Sequence, residues 1–315
     1  MKNSFLFNIL ILLIVLLFMD CNQPGGTMEE TPTSGNIKIS VDESFKLLMD
    51  SEIFLFTASY KNAIIRPEYK TEYDVINDFM NDSVQTIVTA KKLTKEQTEY
   101  LKSKTLNPKT YAIAIDAVAL IVNVKNPDTL IQVNKFKQIL AGNIKKWEEI
   151  NPKNKTGKIE VVFDNSKSAN ARYLKEKLYL QKFPDNCYTA NTNDSVIDYV
   201  EKHKNAIGII SVNWISDNND SVSNNFLKRI KVVGLTSEFD PEGTDYYRPY
   251  PAYIKDESYP FRREVYMITR ETFTGLGSGF IWYVSGEKGQ RIVLKSGLVP
   301  STMPSRVVKM KSKFD

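Results

Sequence analysis

From Asn36 to Thr269 the chain switches repeatedly between two hydrophobic periods. Ile37-Lys38-Ile39-Ser40-Val41 alternates with period two, the mark of a half-buried strand. Phe45, Leu47, Leu48, Ile53, Phe54 and Phe56 then predict a helix over 44–60. Strand 63–67, helix 73–80, strand 84–89 and helix 94–104 follow. The last carries Thr94 with Gln97 three residues on, a capping-box signature. Tyr111 to Val124 is a long β-branched apolar run, read as one or two buried strands. A second cycle predicts helix 134–140, strand 159–163, helices 169–180 and 195–203, strand 206–211 with Gly208 inside it, and an apolar segment 230–233. A Tyr/Pro-rich run, 246–260, leads into strand 264–269 and helices around 279–283 and 288–295. Strands alternating with helices predict an α/β fold, a mostly parallel sheet covered by helices.

The chain start has a different pattern. Phe5 to Met19 is apolar, is preceded by Lys2 and stops at Asp20-Cys21. A spanning helix needs about 20 apolar residues. This shorter run after a basic start predicts a signal peptide over 1–20. Cys21 at the junction looks like a bacterial lipoprotein site, with lipid attached to that cysteine. Residues 21–36 are rich in Pro, Gly, Thr and Ser and predict a flexible tether. Residues 303–315 form a basic C-terminal tail. What lies between is longer than one core normally grows, which predicts two lobes.

Composition mainly excludes. A net charge of +5 over 315 residues, without an Arg-rich block, does not argue for nucleic acid. Only two cysteines exist, Cys21 and Cys187, so no disulfide framework is expected. The single histidine, His203, cannot build a His-rich zinc site. No Gly-x-Ser-x-Gly elbow, metal spacing or paired catalytic carboxylates stand out, so neither an enzyme nor a bound cofactor is expected. Gly275 to Gly279 reads as a turn rather than a nucleotide loop.

The clearest candidate site is Phe163 to Arg172, a strand running into a helix. The first N–H groups of a helix lack intrahelical partners, and with the helix dipole they attract anions. Ser166, Ser168, Ala169 and Asn170 lie at that start, and Arg172 one turn in can add a charged fork. The same residues also suit ordinary capping. Asp42-Glu43-Ser44-Phe45 makes a second strand-to-helix turn, with Ser44 or Asp42 as a plain N-cap, or Ser44 as a ligand donor. Thr71 precedes a third helix, beside Glu72, which would repel a dianion. Lys91 can neutralise an anion or simply face water.

Taken in order, these segments resemble the phosphate-binding, solute-binding proteins of ABC importers over about residues 36–302. The resemblance rests on Val41 to Phe45, Asp116 to Asn123, Gly142 to Trp147, Ser166 to Arg172, Asn205 to Gly208, and Gly289-Gln290 with Ser296 to Pro300. It implies a two-lobed periplasmic-binding-protein type II fold with two hinge crossings. Lobe one would take 37–119 plus 250–302, and lobe two 120–249. It further implies a monomer in the cell envelope, facing the periplasm or cell surface. Such a protein holds phosphate or another small oxyanion between its lobes for an ABC permease in the inner membrane. Ser44 and Phe45 match a family binding position, and Ser168 stands at the serine of a Ser-Gly-Thr motif. Ala169 and Asn170 replace that Gly and Thr, and the arginine usual before the motif is absent. The divergence leaves a rival, a binding-protein fold used for surface interaction or sensing.

Overall fold

The computed structural model describes residues 30–216 and 221–302. The predicted signal peptide, Cys21 and the tail 303–315 therefore lie outside the described residues, as does most of the tether. Within them, strands and helices alternate as the two periods require. β1 (Gly35–Asp42) leads through a 3₁₀ turn (Glu43–Phe45) into α1 (Lys46–Ser59). β2 (Ala63–Lys70), α2 (Glu72–Met80), β3 (Thr86–Thr89) and α3 (Lys95–Ser103) follow. The Thr94–Gln97 capping box is formed, each side chain bonding the other residue's backbone N–H. The long apolar run is a single strand, β4 (Lys109–Asn123), and its second half is fully buried.

The second cycle comprises β5 (Leu130–Ile131), α4 (Val133–Leu140), β6 (Glu160–Phe163), α5 (Ala169–Lys177), β7 (Cys187–Thr189), α6 (Asn193–Lys202) and β8 (Ala206–Ser211). α7 (Ser221–Arg229), β9 (Ile230–Val232), β10 (Gly234–Leu235), α8 (Pro251–Lys255), β11 (Arg262–Thr269), α9 (Leu276–Ser285), α10 (Glu287–Lys295) and β12 (Val299–Pro300) complete the described chain. The helix predicted over 169–180 stops at Lys177, and Tyr179 sits in the left-handed region at φ 55°. β5, β7 and β10 are two or three residues long, too short to show a period. α8 lies inside the Tyr/Pro-rich run, with Pro251 at its first position, where a missing N–H costs nothing.

The strands run β2-β1-β3-β11-β4-β8-β6-β7, with β9 and β12 also on β4. The outer strands pair in parallel, β1 with β2 and β3, and β6 with β7 and β8. The middle, around β4 and β11, is antiparallel. β4 holds β11 up to Ala117 and β8 from Val118 onward. One strand thus serves two α/β lobes and changes partners at its midpoint. Tyr259 and Phe261 secure that point: Tyr259 donates its hydroxyl to the Val118 carbonyl at 2.8 Å, and Val118 N–H donates to Phe261 O at 2.8 Å. Gly208 lets α6 lie close on the sheet. A Cβ there would meet Val200, Ile121 and Val196 side-chain carbons at 2.7–2.8 Å. That close approach carries the N-terminus of α6 to the seam between the lobes.

Candidate functional site

Five chain turns meet at the seam: the 3₁₀ turn after β1, the starts of α2, α5 and α6, and the turn after β8. Asp42 caps the first by accepting from Ser44 N–H at 2.8 Å. Asp42 Oδ2 and Ser44 Oγ are buried without an aligned hydrogen bond, although the Ser44 hydroxyl lies near enough to Asp42 to favour its charged form. Phe45 is fully buried, and the Arg263 guanidinium lies 5.4 Å from its ring centre. A desolvated cation–π contact of that kind is worth about 2 kcal/mol.

Arg263, from β11, is the buried cation of the seam. Its Nε donates to Asp116 Oδ2 at 3.0 Å, and Nη2 lies 2.8 Å from the same oxygen without hydrogen-bond alignment. Nη1 has no partner. Asp116 also accepts from Ser211 Oγ, at 2.9 and 3.0 Å on its two oxygens. Burial pushes the Asp116 carboxyl up, and the adjacent Arg263 opposes that push. Asn213, in the turn after β8, donates to Ser44 O at 3.3 Å and keeps a buried Oδ1 unpaired. Asn170 Oδ1 is likewise buried and unpaired.

The predicted helix cradle is built, but the protein's own groups fill it. Ser168 caps α5 by accepting from Ala171 N–H at 3.2 Å, and donates its hydroxyl to Asp164 Oδ1 at 2.6 Å. Asn170 Nδ2 and Asn193 Nδ2 lie 3.1 and 3.4 Å from Asp164 Oδ2. The buried Asp164 carboxylate thus takes the side-chain donors at this helix start, the Ser168 hydroxyl and the Asn170 amide. Glu43 does the same at α6, accepting from the N–H and side-chain amide of Asn193. Arg172 is engaged as well. Its guanidinium binds both oxygens of Glu72, which is buried, and also Glu176. Ser166 is exposed, and Ala169 is buried beside the cap. Thr71 caps α2 and donates to Asp74 Oδ2 at 2.7 Å. Lys91 is half-buried outside the seam cavity, which has a volume of ≈ 250 Å³ and is lined by Asp42, Glu43, Thr71, Asp164, Ser168 and Thr192 among others.

Of the residues expected from the sequence, Ser44, Phe45, Thr71, Ser168 and Asn170 therefore come together at the seam. Ser166 and Lys91 do not, and Arg172 acts as an interlobe clasp. Asp42 was expected only as an alternative N-cap, the role it takes, and Asp116, Asp164, Asn193, Asn213 and Arg263 were not singled out by the sequence. Asp116 did leave a trace, as the one charge inside the apolar run 111–124. Arg263 left none.

The seam is rich in carboxylates. Burial, reinforced by Glu72 and opposed by Arg263, pushes Asp42 up to about 7. Burial pushes Glu43 up to about 8 against the Asn193 hydrogen bond, and burial raises Asp164. A carboxyl that gains its proton changes from acceptor to donor. The site can therefore present more donors to an oxyanion at lower pH than at higher pH.

The chain resembles known binding proteins in sequence and fold. It is 26% identical over 200 residues to the phosphate-binding protein PstS of Staphylococcus aureus strain USA300, covering 62% of this chain and 57% of that one. The chain thus matches less than two thirds of that relative's length. Among solved structures, a proposed phosphate ABC transporter substrate-binding protein from Clostridium perfringens, solved with bound phosphate, superposes with a TM-score of 0.71. It has 21% identity, over 84% of this chain and 99% of that one. An ABC-type phosphate transport receptor from Vibrio cholerae gives a TM-score of 0.62 at 19% identity, over 85% and 100% of the two chains. The PBP superfamily domain model matches residues 26–287, which is most of the described body. The chain belongs to the PBP superfamily.

Proposed function

We propose that this chain is a solute-binding protein of the cell envelope that captures phosphate or a related small oxyanion between its two lobes. It makes and breaks no bonds, and an ABC permease in the inner membrane takes the ligand from it. Cys21 carries the lipid that holds it at the membrane, and the folded body is a monomer. Lobe one takes 37–119 plus 250–302, and lobe two 120–249. The family match supports the binding role, and the phosphate-binding proteins above support the ligand class. One observation carries the site assignment. The Arg263 guanidinium is buried at the seam with Nη1 unpaired, 5.4 Å from the ring of Phe45, the residue after Ser44, and is held by Asp116. A desolvated guanidinium with a free N–H is a strong, oriented donor for an oxyanion. Ser44 supplies a neutral hydroxyl, and Ser168 and Asn170, which donate to Asp164 here, can turn to a ligand only by leaving that carboxylate. Lys91 and Ser166 lie outside this arrangement, and Arg172 contributes by holding the lobes together.

A second reading, a binding-protein fold used for surface interaction or sensing, is favoured by one observation. Glu43 already takes the backbone N–H at the start of α6, and Asp164 takes the Ser168 and Asn170 side-chain donors at the start of α5. Titration calorimetry with phosphate, sulfate and arsenate separates the two. The first reading expects one-to-one binding of at least one of them, lost in Arg263→Gln. No heat with any of the three leaves the second.

A further inference from the structure

Both ends of the described body converge on α9. At its start, Glu30 accepts from Leu276 N–H at 3.2 Å. Close by, the Pro32 carbonyl packs so tightly on Gly279 that a Cβ there would lie 1.9 Å from its oxygen. At its end, Thr302 donates its hydroxyl to the Ser285 carbonyl at 2.8 Å, and its N–H to Gln290 at 3.0 Å. A ten-residue helix is about 15 Å long, so the two exits are close together.

Next to these exits lies a groove of ≈ 580 Å³ between α1 and α10. Leu55, Tyr283 and Ile292 form its apolar lining, and Lys288, Arg291 and Lys295 stand along α10. Phe54, 70% exposed, shares a helical stripe with Ser51 and Ala58 of the groove wall. Glu287 pairs with Arg291 at 2.5 Å, and among the described residues no salt bridge engages Lys288 or Lys295. The sequence beyond Thr302 adds Arg306, Lys309, Lys311 and Lys313 against one acid, Asp315.

From these placements we infer that the α1–α10 face is a docking surface for an anionic phospholipid membrane. The inference rests on the membrane tether proposed above, because from Cys21 to Glu30 the chain reaches at most about 30 Å. That reach holds the α9 end of the body near the lipid. Over that distance an apolar strip flanked by lysines gains from inserting Phe54 and Leu55 among headgroups, and from attraction to anionic lipid. The seam between the lobes takes no part in the contact.

The test uses the chain from Asn22 to Asp315, which has no lipid and keeps every described residue. It is sedimented with vesicles of phosphatidylcholine alone, or of equal parts phosphatidylcholine and phosphatidylglycerol. Binding is expected to the mixed vesicles only, weakened about fivefold by Lys288→Gln and about fivefold again by adding Lys295→Gln. Phe54→Ser is expected to weaken it as well. No binding to either vesicle, or equal binding to both, overturns the inference. So does binding that survives the lysine variants but disappears on deleting residues 303–315, which would assign the membrane to the tail alone. The unlipidated chain decides this whichever way lipid attachment at Cys21 is settled by labelling with a radioactive fatty acid. Calorimetry with phosphate tests the seam separately.

Discussion

Arg263 and Asp116 are the residues on which the seam turns. Neither could be buried alone, because an isolated buried charge costs several kcal/mol. Together, with Ser211 donating to Asp116, they hold one guanidinium in a fixed pose with a spare N–H. Removing Arg263 therefore has two effects, lost ligand contact and an orphaned Asp116. Arg263→Gln alone is expected to cost about 3–5 kcal/mol of stability. Arg263→Gln combined with Asp116→Asn restores much of it without restoring binding, and chemical denaturation beside calorimetry separates the two. Asp164 makes the opposite prediction. Its carboxylate holds the Ser168 and Asn170 donors at the start of α5, so Asp164→Asn is expected to tighten oxyanion binding. The expected gain is about tenfold, one charge-assisted contact's worth. Unchanged or weaker binding would show that Asp164 is a structural cap with no bearing on the ligand.

The pH dependence also belongs at this scale. Asp42 and Glu43 hold their protons to about 7 and about 8. As pH falls through those values, each loses its charge and gains a donor. Sulfate has no proton to exchange in this range and so reports the protein's groups alone. Its affinity is expected to rise from pH 8.5 to 6, flattening below about 6. An affinity independent of pH would place both carboxyls away from the ligand.

At the element scale, α1 holds a stability liability. Glu52 is fully buried, neither carboxylate oxygen has a partner, and burial pushes its pKa up to about 9. A carboxyl whose folded pKa is raised stays protonated after the unfolded chain has released its proton. Stability is therefore complete below the unfolded value near 4.5 and falls as pH rises toward 9. Glu52→Gln is expected to stabilise the protein by about 2–3 kcal/mol at pH 7 and to do little at pH 4. Denaturant midpoints at the two pH values check this. The elements were the legible part of the sequence. The period-two run gave β1, and the Thr94–Gln97 pair gave the start of α3. β5, β7 and β10 were hidden because two or three residues carry no period. The site was read from local turns, and those turns bring Ser44 and Ser168 to the seam. The groups that close the site come from 147 residues apart in the Asp116–Arg263 pair, and from 100 apart in Arg172–Glu72. No local pattern records such a meeting. Arg172 had the right charge and helix position for a ligand contact, but Glu72 across the seam engages it.

Across the whole molecule, the lobes are held together by side chains as well as by β4. Arg172 reaches Glu72, Lys167 lies 4.8 Å over the Tyr73 ring, and Glu43 meets Asn193. These contacts favour a closed seam, and interlobe motion of this kind is a hinge closure. Arg172→Ala removes the strongest of them. Without ligand, its radius of gyration by small-angle scattering is expected to exceed that of the unmodified protein, and saturating phosphate is expected to reverse the difference. Equal radii in both states would mean that β4 and its neighbours fix the lobe angle by themselves.

Everything in the binding account depends on Arg263 offering its free N–H to an oxyanion at the seam. The most direct measurement is titration calorimetry of phosphate, sulfate and arsenate against the unmodified chain and against the Asp116→Asn, Arg263→Gln pair, which keeps the buried charge balanced. The account predicts one-to-one binding of at least one of them to the first and none to the second. Equal binding to both, or to neither, would contradict it.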